Sequence, residues 1–410
     1  MQSSQYISKK ICLLSDHHLC INPRLWKEAF FYEREGYDVV VLTMWQSADL
    51  LRRDHDLLKG HQIQYKAYLN LIPTEINPAK RFFYRLRKRS ASELQRRLKT
   101  GTPWAISHAP ERLYKFALRE RADLYSAHLE CGFFAGRQLI KAGKKVGFDF
   151  EDWYSRDYLT PDRAVSLLSK LEDFALQYGT FCTAASQTMA DALKKVYPSA
   201  KKITTVYNSF PDDELEGFDF SNNSSNKPFR IIWTSRTVGP QRGLETLLTA
   251  LALVQLPVEL HIIGQCAEGY KDFLNSEWST EKGHRLIFHD FVPHAELLKL
   301  IATYDLGLAI EQYEPDSRNT TITNKILQYL QAGISVLATD TGGQKEVARY
   351  FPDTVFLVAA NEPEEWAQQI ERAARREIGL NRNKQQQVYQ QVFSWPVQEQ
   401  KLKQLISEHL

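Results

Sequence analysis

The sequence contains two successive series of short apolar runs that alternate with stretches of helical periodicity. The runs of the first series, each a predicted strand, are residues 11–14, 39–42, 124–127, 146–150, 181–184 and 203–207. Those of the second series are residues 231–234, 258–263, 286–288, 306–310, 336–338 and 354–357. Short, often β-branched runs separated by helices indicate βαβ units, parallel sheets and right-handed crossovers. The pattern therefore predicts an α/β protein with two Rossmann-like domains of similar size.

The pattern also predicts the domain boundaries. We expect a first domain over residues 1–212, a Ser- and Asn-rich linker over 213–228 and a second domain over 229–392. Residues 393–410 form a separate terminal helical segment. Because ligands of open α/β sheets bind beyond the carboxyl ends of the strands, the predicted site is the cleft between the two domains.

The composition is that of an ordinary globular chain, with 410 residues, 43% hydrophobic and 25% charged. No apolar run approaches the roughly 18–20 residues of a membrane span, and the first residues lack the apolar core of a signal peptide. The five cysteines form no C-x-x-C pair, which favours free thiols in a reducing compartment and argues against zinc. We expect a cytoplasmic protein.

Charge is distributed unevenly, although the net charge is only +3. Residues 1–210 hold 33 Lys/Arg against 22 Asp/Glu, whereas the remainder holds 19 against 27. The segment Lys80–Lys99 has nine basic residues and one acid, with Phe82, Phe83 and Leu86 among them. Three interpretations of this segment stay open. It contacts an anionic membrane surface at the inner membrane face, it binds an acidic acceptor, or it is a solvated helix without a partner. Nucleic acid is not expected, since no nucleic-acid module accompanies the segment.

A loop with two arginines follows the first strand of the second series. Ser235 and Arg236 stand at the end of that strand, and Arg242 and Gly243 come directly before a predicted helix. Free amides at a helix start and forked guanidinium donors both suit phosphate oxygens. The pattern therefore indicates a diphosphate clamp; two solvated surface arginines are the alternative.

Two further polar segments are predicted to reach the same rim of the second sheet. Residues 319–324 lead into a helix that ends at Gly333, and residues 339–343 form a polar turn after the next strand. Ordinary turn chemistry explains these glycines equally well.

Several segments in this order resemble the family 4 (group 1) glycosyltransferases, which have the GT-B fold. They are S-R-x5-R-G-L-E-T-L-L, HIIG, FVPHAELLKLIATYDLGLAI and NKILQYLQAGISVLATDTGGQKEV, preceded by ICLLSD, DLYSAHLE and VGFDFEDWY. The resemblance spans nearly the whole chain, is strongest over residues 229–347 and is weakest over residues 45–120. In GT-B proteins the last helix crosses back to the first domain, so Trp395 is expected at that junction.

The resemblance implies a binding site for a nucleotide-diphospho sugar, most commonly a UDP-sugar, in the second domain. Arg236 and Arg242 would stabilise the leaving diphosphate, Phe291 and Val292 would contact the base, and Gln328 would contact the ribose. The remaining implied donor contacts are Ser235, Gly243, Gly264, Asn324, Lys325, Thr341, Gly342 and Gly343.

The chain departs from the family at two glutamates. Family members often carry two glutamates separated by seven residues, and these positions are Thr320 and Gln328 here. A glutamine can still hydrogen-bond a ribose hydroxyl, whereas Thr320 offers no charge. Glu311 or Glu314 is a possible substitute, in a register that the sequence leaves open.

The first domain would supply the acceptor side. His128 matches a family histidine near the sugar, and is predicted to be catalytic with Arg236 and Arg242. The predicted acceptor contacts are His17, His18, Arg24 and Asp152, each with a surface or capping role as its alternative. Asp149 and Glu151 lie in the same acidic stretch as Asp152. We expect no metal ligand there, because GT-B enzymes generally lack an obligatory metal.

The resemblance as a whole implies a retaining, metal-independent glycosyltransferase without a resident cofactor. Its acceptor would be a glycan, a lipid-linked molecule or a small molecule, as in polysaccharide biosynthesis. A GT-B sugar-nucleotide epimerase and a non-catalytic nucleotide-sugar-binding subunit are the alternatives, the latter because both glutamates are replaced.

Overall fold

A computed structural model describes residues 8–99, 101–158, 162–211, 215, 228–278, 281–290, 292, 294–377 and 381–410. The chain divides into two compact units. The first unit takes in the chain up to Ala185 together with residues 189–206 and 399–410, and the second takes in residues 186–188 and 207–398. The predicted linker 213–228 lies outside the described residues, apart from residues 215 and 228.

The first unit contains a parallel sheet of seven strands in the order β3-β2-β1-β4-β5-β6-β7. Its central strands are buried on both faces, which explains their continuous apolar sequences. The strands are β1 (Lys10–Leu14), β2 (Asp38–Trp45), β3 (Gln64–Asn70), β4 (Leu124–His128), β5 (Val146–Phe150), β6 (Phe181–Ala184) and β7 (Ile203–Thr205).

Helices connect these strands. The first, α1, begins where Asn22 accepts a hydrogen bond from the Leu25 amide and Pro23 occupies the first turn. The helices are α1 (Pro23–Arg34), α2 (Ala48–Leu57), α3 (Pro78–Leu98), α4 (Pro110–Glu120), α5 (Leu129–Lys141), α6 (Val165–Tyr178) and α7 (Gln187–Val196).

The second unit contains a parallel sheet of six strands in the order β10-β9-β8-β11-β12-β13. Its strands are β8 (Phe229–Val238), β9 (Val258–Cys266), β10 (Arg285–His289), β11 (Leu306–Ala309), β12 (Ser335–Thr339) and β13 (Val355–Val358). Its helices are α8 (Leu244–Leu253), α9 (Tyr270–Glu277), α10 (His294–Ile301), α11 (Asp316–Thr320), α12 (Asn324–Gln331), α13 (Gly342–Ala348), α14 (Pro363–Ala374) and α15 (Arg382–Val392). A last helix, α16 (Trp395–His409), begins in the second unit and ends in the first.

The predicted strands all form, with ends shifted by a few residues, and the predicted α/β architecture with two Rossmann-like sheets is confirmed. The strand that the sequence pattern missed is β3, whose residues alternate between polar and apolar and are largely half-exposed. An edge strand with one solvated face lacks the continuous apolar run by which the central strands were found. Among the described residues, no helix combines the length and apolar character needed to cross a bilayer.

Strands β8 and β9 approach closely where their pairing shifts register between Thr234 and Thr237. Gly264 has a φ of +139°, and a Cβ atom there would lie 1.9 Å from the carbonyl oxygen of Ser235. Gly264 is therefore required both by its backbone conformation and by the backbone that it touches.

Replacing Gly264 by alanine should destabilise the second unit because the new methyl group overlaps the Ser235 carbonyl. Gly269 is a matched control, with a φ of +70° and no atom within 4 Å of its Cβ position. We expect Gly264→Ala to lower the free energy of unfolding by about 2–4 kcal/mol more than Gly269→Ala in urea titrations. Equal losses would contradict the close approach.

Candidate functional site

The arginine segment of the second unit lies between β8 and α8. Arg236 falls within the last part of β8 rather than in the following loop, and its side chain is exposed; Arg242 is half-buried. Neither guanidinium has a hydrogen-bond or ion-pair partner among the described residues. Gly243 has a φ of +79° and caps α8, and a Cβ there would lie 2.3 Å from Ile310. Two unmatched cations thus flank the start of a ten-residue helix, an arrangement suited to an anion.

The start of α12 holds a second polar group. Lys325 is buried and its ammonium lies 2.5 Å from Glu311 and 5.5 Å from the Trp233 ring centre. The charge of Lys325 is therefore matched by Glu311 within the protein, and its contact with the donor stays a prediction. The Asn324 side-chain oxygen accepts a hydrogen bond of 2.9 Å from Asn208, which leaves its amide group to donate.

The two positions that differ from the family pattern have different environments. Gln328 is buried on α12, and its side-chain amide has no hydrogen-bond partner among the described residues. Thr320 is also buried, but its hydroxyl donates to the Asp316 carbonyl at 2.9 Å. Gln328 therefore keeps hydrogen-bonding capacity for a ligand, whereas Thr320 is satisfied within its own helix. Glu311, one of the two residues suggested as a substitute for the family glutamates, has a buried carboxylate after β11.

The glycines after β12 are required by packing. The Gly342 amide donates to the Asn319 side-chain oxygen at 2.9 Å, and a Cβ on Gly343 would lie 2.3 Å from the Thr321 carbonyl oxygen. Thr341 caps α13 by accepting a hydrogen bond of 3.4 Å from the Gln344 amide. These contacts explain the residues by turn structure alone, the alternative that the sequence left open.

Two further side chains near this turn were not singled out from the sequence. Glu346 is buried and accepts hydrogen bonds from the Gln187 amide, the Thr188 amide and hydroxyl, and the Tyr207 hydroxyl. Gln344 is fully buried, and neither polar atom of its side chain has a partner in the described part of the chain. Of the predicted base contacts, Val292 is half-buried against the apolar core, and Phe291 lies outside the described residues.

In the first unit, β4 and β5 end in a buried cluster of charges. His128 is fully buried, with Nε2 2.9 Å from Glu28 and Nδ1 3.0 Å from Glu151. Burial alone would lower the pKa of His128, but these carboxylates and Asp149 outweigh it and raise the pKa to about 10. Both nitrogens of His128 are engaged by carboxylates, which favour its imidazolium form. Its predicted catalytic role near the sugar stays a prediction.

Arg24 belongs to the same cluster. Its guanidinium binds both oxygens of Asp149, one at 2.6 Å, and donates to the Val206 carbonyl at 2.6 Å. Burial would raise the pKa of Asp149, but Arg24 holds it below its usual value. Arg24 is only 3% exposed. The donors of Arg24 are used inside the unit, and its contact with an acceptor stays a prediction.

The remaining predicted acceptor contacts comprise one buried and two exposed side chains. His18 is buried, with Nδ1 2.6 Å from Asp54 and Nε2 accepting from the backbone amides of Gln46 and Ser47. These contacts hold its loop, and its contact with an acceptor stays a prediction. His17 and Asp152 are exposed at the carboxyl end of the sheet, where an acceptor contact stays a prediction. The sequence also gave no signal for Glu130, which pairs with Arg163 at 2.5 Å and whose pKa burial raises to about 7.

Glu28, His128 and Asp149 have ligand atoms that lie within 4.8 Å of one another. Arg24 already binds both oxygens of Asp149, and the two ring nitrogens of His128 face Glu28 and Glu151, so these groups are engaged with one another. The charges of this cluster are thus paired with one another.

The raised pKa of His128 predicts a pH dependence of stability. The imidazolium stabilises the folded state fully below the unfolded pKa of 6.5, and this contribution is lost as the pH rises toward about 10. Between these values the wild type should lose more unfolding free energy than His128→Gln, in denaturant titrations at each pH. The exposed His55→Gln variant is the control and should follow the wild type; parallel curves for wild type and His128→Gln would contradict the assignment.

Comparison with known proteins agrees with this architecture. Residues 228–376 match the family described as glycosyl transferases group 1. The chain is similar to Anabaena HepE in complex with UDP and glucose, at 17% identity and a TM-score of 0.69 over 98% of this chain and 100% of the other. It is similar to sucrose-phosphate synthase from Thermosynechococcus elongatus, at 12% identity and a TM-score of 0.71 over 98% of each chain.

A third similar structure is the E. coli trehalose-6-phosphate protein bound with UDP-2-fluoro glucose. Its identity is 11% and its TM-score 0.65, over 97% of this chain and 99% of the other. No curated protein matches the chain in sequence. Residues 228–376 are therefore similar to group 1 glycosyl transferases, and the whole chain shares the GT-B fold of two Rossmann-like domains with these solved structures.

Proposed function

We propose that this glycosyltransferase transfers a sugar from a nucleoside-diphosphate sugar, with UDP as the nucleotide, to a hydroxyl group of a glycan, lipid-linked or small-molecule acceptor. The observation that carries the proposal is the pair Arg236 and Arg242, unpartnered among the described residues beside the start of α8. Two of the similar structures were solved with UDP and glucose and with UDP-2-fluoro glucose, which supports UDP as the donor nucleotide.

The proposed chemistry follows from where charge develops. When the bond between the anomeric carbon and the β-phosphate oxygen breaks, the leaving diphosphate gains negative charge. Arg236, Arg242 and the amides at the start of α8 would stabilise that charge before water can reorganise. The acceptor oxygen attacks the anomeric carbon, and its proton passes to the departing phosphate oxygen. This route requires no protein base, in keeping with a His128 that already carries a proton.

Retention of the anomeric configuration and independence from metal ions are part of the proposal. Two guanidinium groups and a helix start can take the place of a divalent cation on a diphosphate, since each supplies positive charge and directed donors. We propose that the side-chain amide of Gln328 hydrogen-bonds the ribose, because this buried group has free hydrogen-bonding capacity. We place the reaction in the cytoplasm, with support from the five free cysteines and the absence of a disulfide among the described residues.

The donor site can be tested by ligand-induced stabilisation. UDP at about 100 times its dissociation constant should add about 2.7 kcal/mol of stability, measured as a rise in melting temperature, with smaller effects from GDP, dTDP and CMP. Arg236→Ala and Arg242→Ala should each weaken UDP binding about 10–100-fold, because each removes a charge-assisted contact. The exposed Arg349→Ala variant is the control in the same unit.

Two results would contradict the donor site. One is the absence of stabilisation by any nucleotide, which would favour a binding scaffold of another kind. The other is a UDP effect that Arg236→Ala, Arg242→Ala and Arg349→Ala leave equally intact.

Turnover separates transfer from the two alternatives. With a UDP-sugar, EDTA and a panel of acceptors, NMR should show UDP release that depends on acceptor, and a product with the donor's anomeric configuration. Conversion of the UDP-sugar without acceptor would indicate an epimerase. Tight binding without turnover, with activity gained in Gln328→Glu, would indicate a chain that lost catalysis with its glutamate.

A further inference from the structure

Helix α3 (Pro78–Leu98) contacts the unit partly through cations and exposes several large apolar side chains. The side turned toward the unit carries three cations that donate to backbone carbonyls: Arg81 to Leu71, Arg87 to His108 and Lys88 to Ala105. The outer side carries large apolar residues. A helix on a solvated surface normally buries its apolar stripe and exposes its charges, so this arrangement leaves the apolar face for another partner.

The outer face is apolar over most of its length. Phe82 is 66% exposed, Phe83 58%, Leu86 48%, Leu94 44% and Leu98 65%. From Phe82 to Leu98 these residues extend over about 24 Å of helix. They form a stripe in two parts, with Phe82, Phe83 and Leu86 within five residues of one another at one end and Leu94 and Leu98 four residues apart at the other.

The stripe is bordered by unmatched positive charge. Lys80, Arg85 and Arg89 are exposed and have no partner among the described residues, whereas Arg96 and Arg97 pair with Glu93. A second copy of the chain would bring like charges together if it docked through the same face, because such an interface pairs a surface with itself. An anionic, apolar layer complements both features at once.

We propose that the outer face of α3 is a membrane-docking surface that inserts Phe82, Phe83 and Leu86 into the boundary of an anionic bilayer, with Arg85 and Arg89 on the lipid phosphates. The inward cations fix the helix against the unit, so the phenylalanines cannot turn back into the core. Arg87 adds to this bracing, since its guanidinium lies 4.9 Å from the Trp104 ring centre, and Trp104 is itself 40% exposed beside the helix. Lipid-linked acceptors would then meet the enzyme at the bilayer that carries them; this last step rests on the proposed function.

Cosedimentation with vesicles tests the surface in the full chain. We compare vesicles of phosphatidylcholine alone with vesicles of one part phosphatidylglycerol to two parts phosphatidylcholine. The wild type should bind the anionic vesicles and release them as the salt concentration rises. The double variant Phe82→Ser/Phe83→Ser should bind at least tenfold more weakly, and Arg85→Gln/Arg89→Gln about 30-fold more weakly, at roughly fivefold per charge.

Matched controls separate this surface from general effects. Phe273→Ser removes a phenylalanine that is 41% exposed in the second unit, and Arg119→Gln/Arg349→Gln removes two exposed arginines elsewhere; both should bind as the wild type does. UDP stabilisation should be equal in all five proteins, so that a lost donor site and a lost docking surface are read independently. Circular dichroism melts confirm that the α3 variants remain folded.

Three results would overturn the proposal. The wild type could stay in the supernatant with anionic vesicles at low salt. The α3 variants could bind as tightly as the controls. Finally, a soluble polyanionic glycan could compete the wild type off the vesicles through the arginines while the phenylalanine variant binds normally, which would make the face a glycan site.

Discussion

Parallel strands bring all of their carboxyl ends to one edge of a sheet, and the chemistry of this protein depends on that constraint. In the second sheet the edge carries Ser235 and Arg236 in the last part of β8, Glu311 after β11, and the turn at Gly342 and Gly343 after β12. None of these residues is close to all of the others in sequence. Only the sheet brings them to one rim, and Gly264 allows β9 to meet β8 there without a side chain between them.

The two units differ in how they treat charge at this edge. In the first unit, Arg24 and His128 are buried against Asp149, Glu28 and Glu151, so that cations and carboxylates compensate one another. Such a cluster stabilises the ends of β4 and β5, and few of its charges remain unpaired for binding a charged ligand.

In the second unit, Lys325 is compensated by Glu311, but Arg236 and Arg242 have no counterpart in the described part of the chain. Under the proposed function, a bound diphosphate would supply the missing counter-charge. Ligand binding would then add to the stability of the unit.

The sequence was sufficient for the architecture because buried parallel strands are continuous apolar runs, as at Val146–Phe150 and Phe181–Ala184. It was insufficient for β3, whose alternation reflects a half-exposed edge. The motif positions of Arg236 and Arg242 could also be read from spacing alone. The roles of individual side chains could not, because partners come from remote segments: His128 meets Glu28 across 100 residues of chain, and Arg24 meets Asp149 across 125.

The orientation of α3 could not be predicted from the sequence either, since the sequence permits either the basic or the aromatic side of the helix to face inward. The contacts of Arg81 and Lys88 with backbone carbonyls decide that question. A long side chain that ends in a cation can reach over an apolar stem to a carbonyl, which allows a helix to be fixed by its charges.

The central claim is that a nucleoside diphosphate binds at the start of α8 through Arg236 and Arg242. A crystal structure of the chain with UDP tests it most directly. The account predicts the diphosphate within hydrogen-bonding distance of both guanidinium groups and of the first amides of α8, with the ribose near Gln328. A nucleotide bound elsewhere, or bound at this edge with both arginines still directed into solvent, would contradict it.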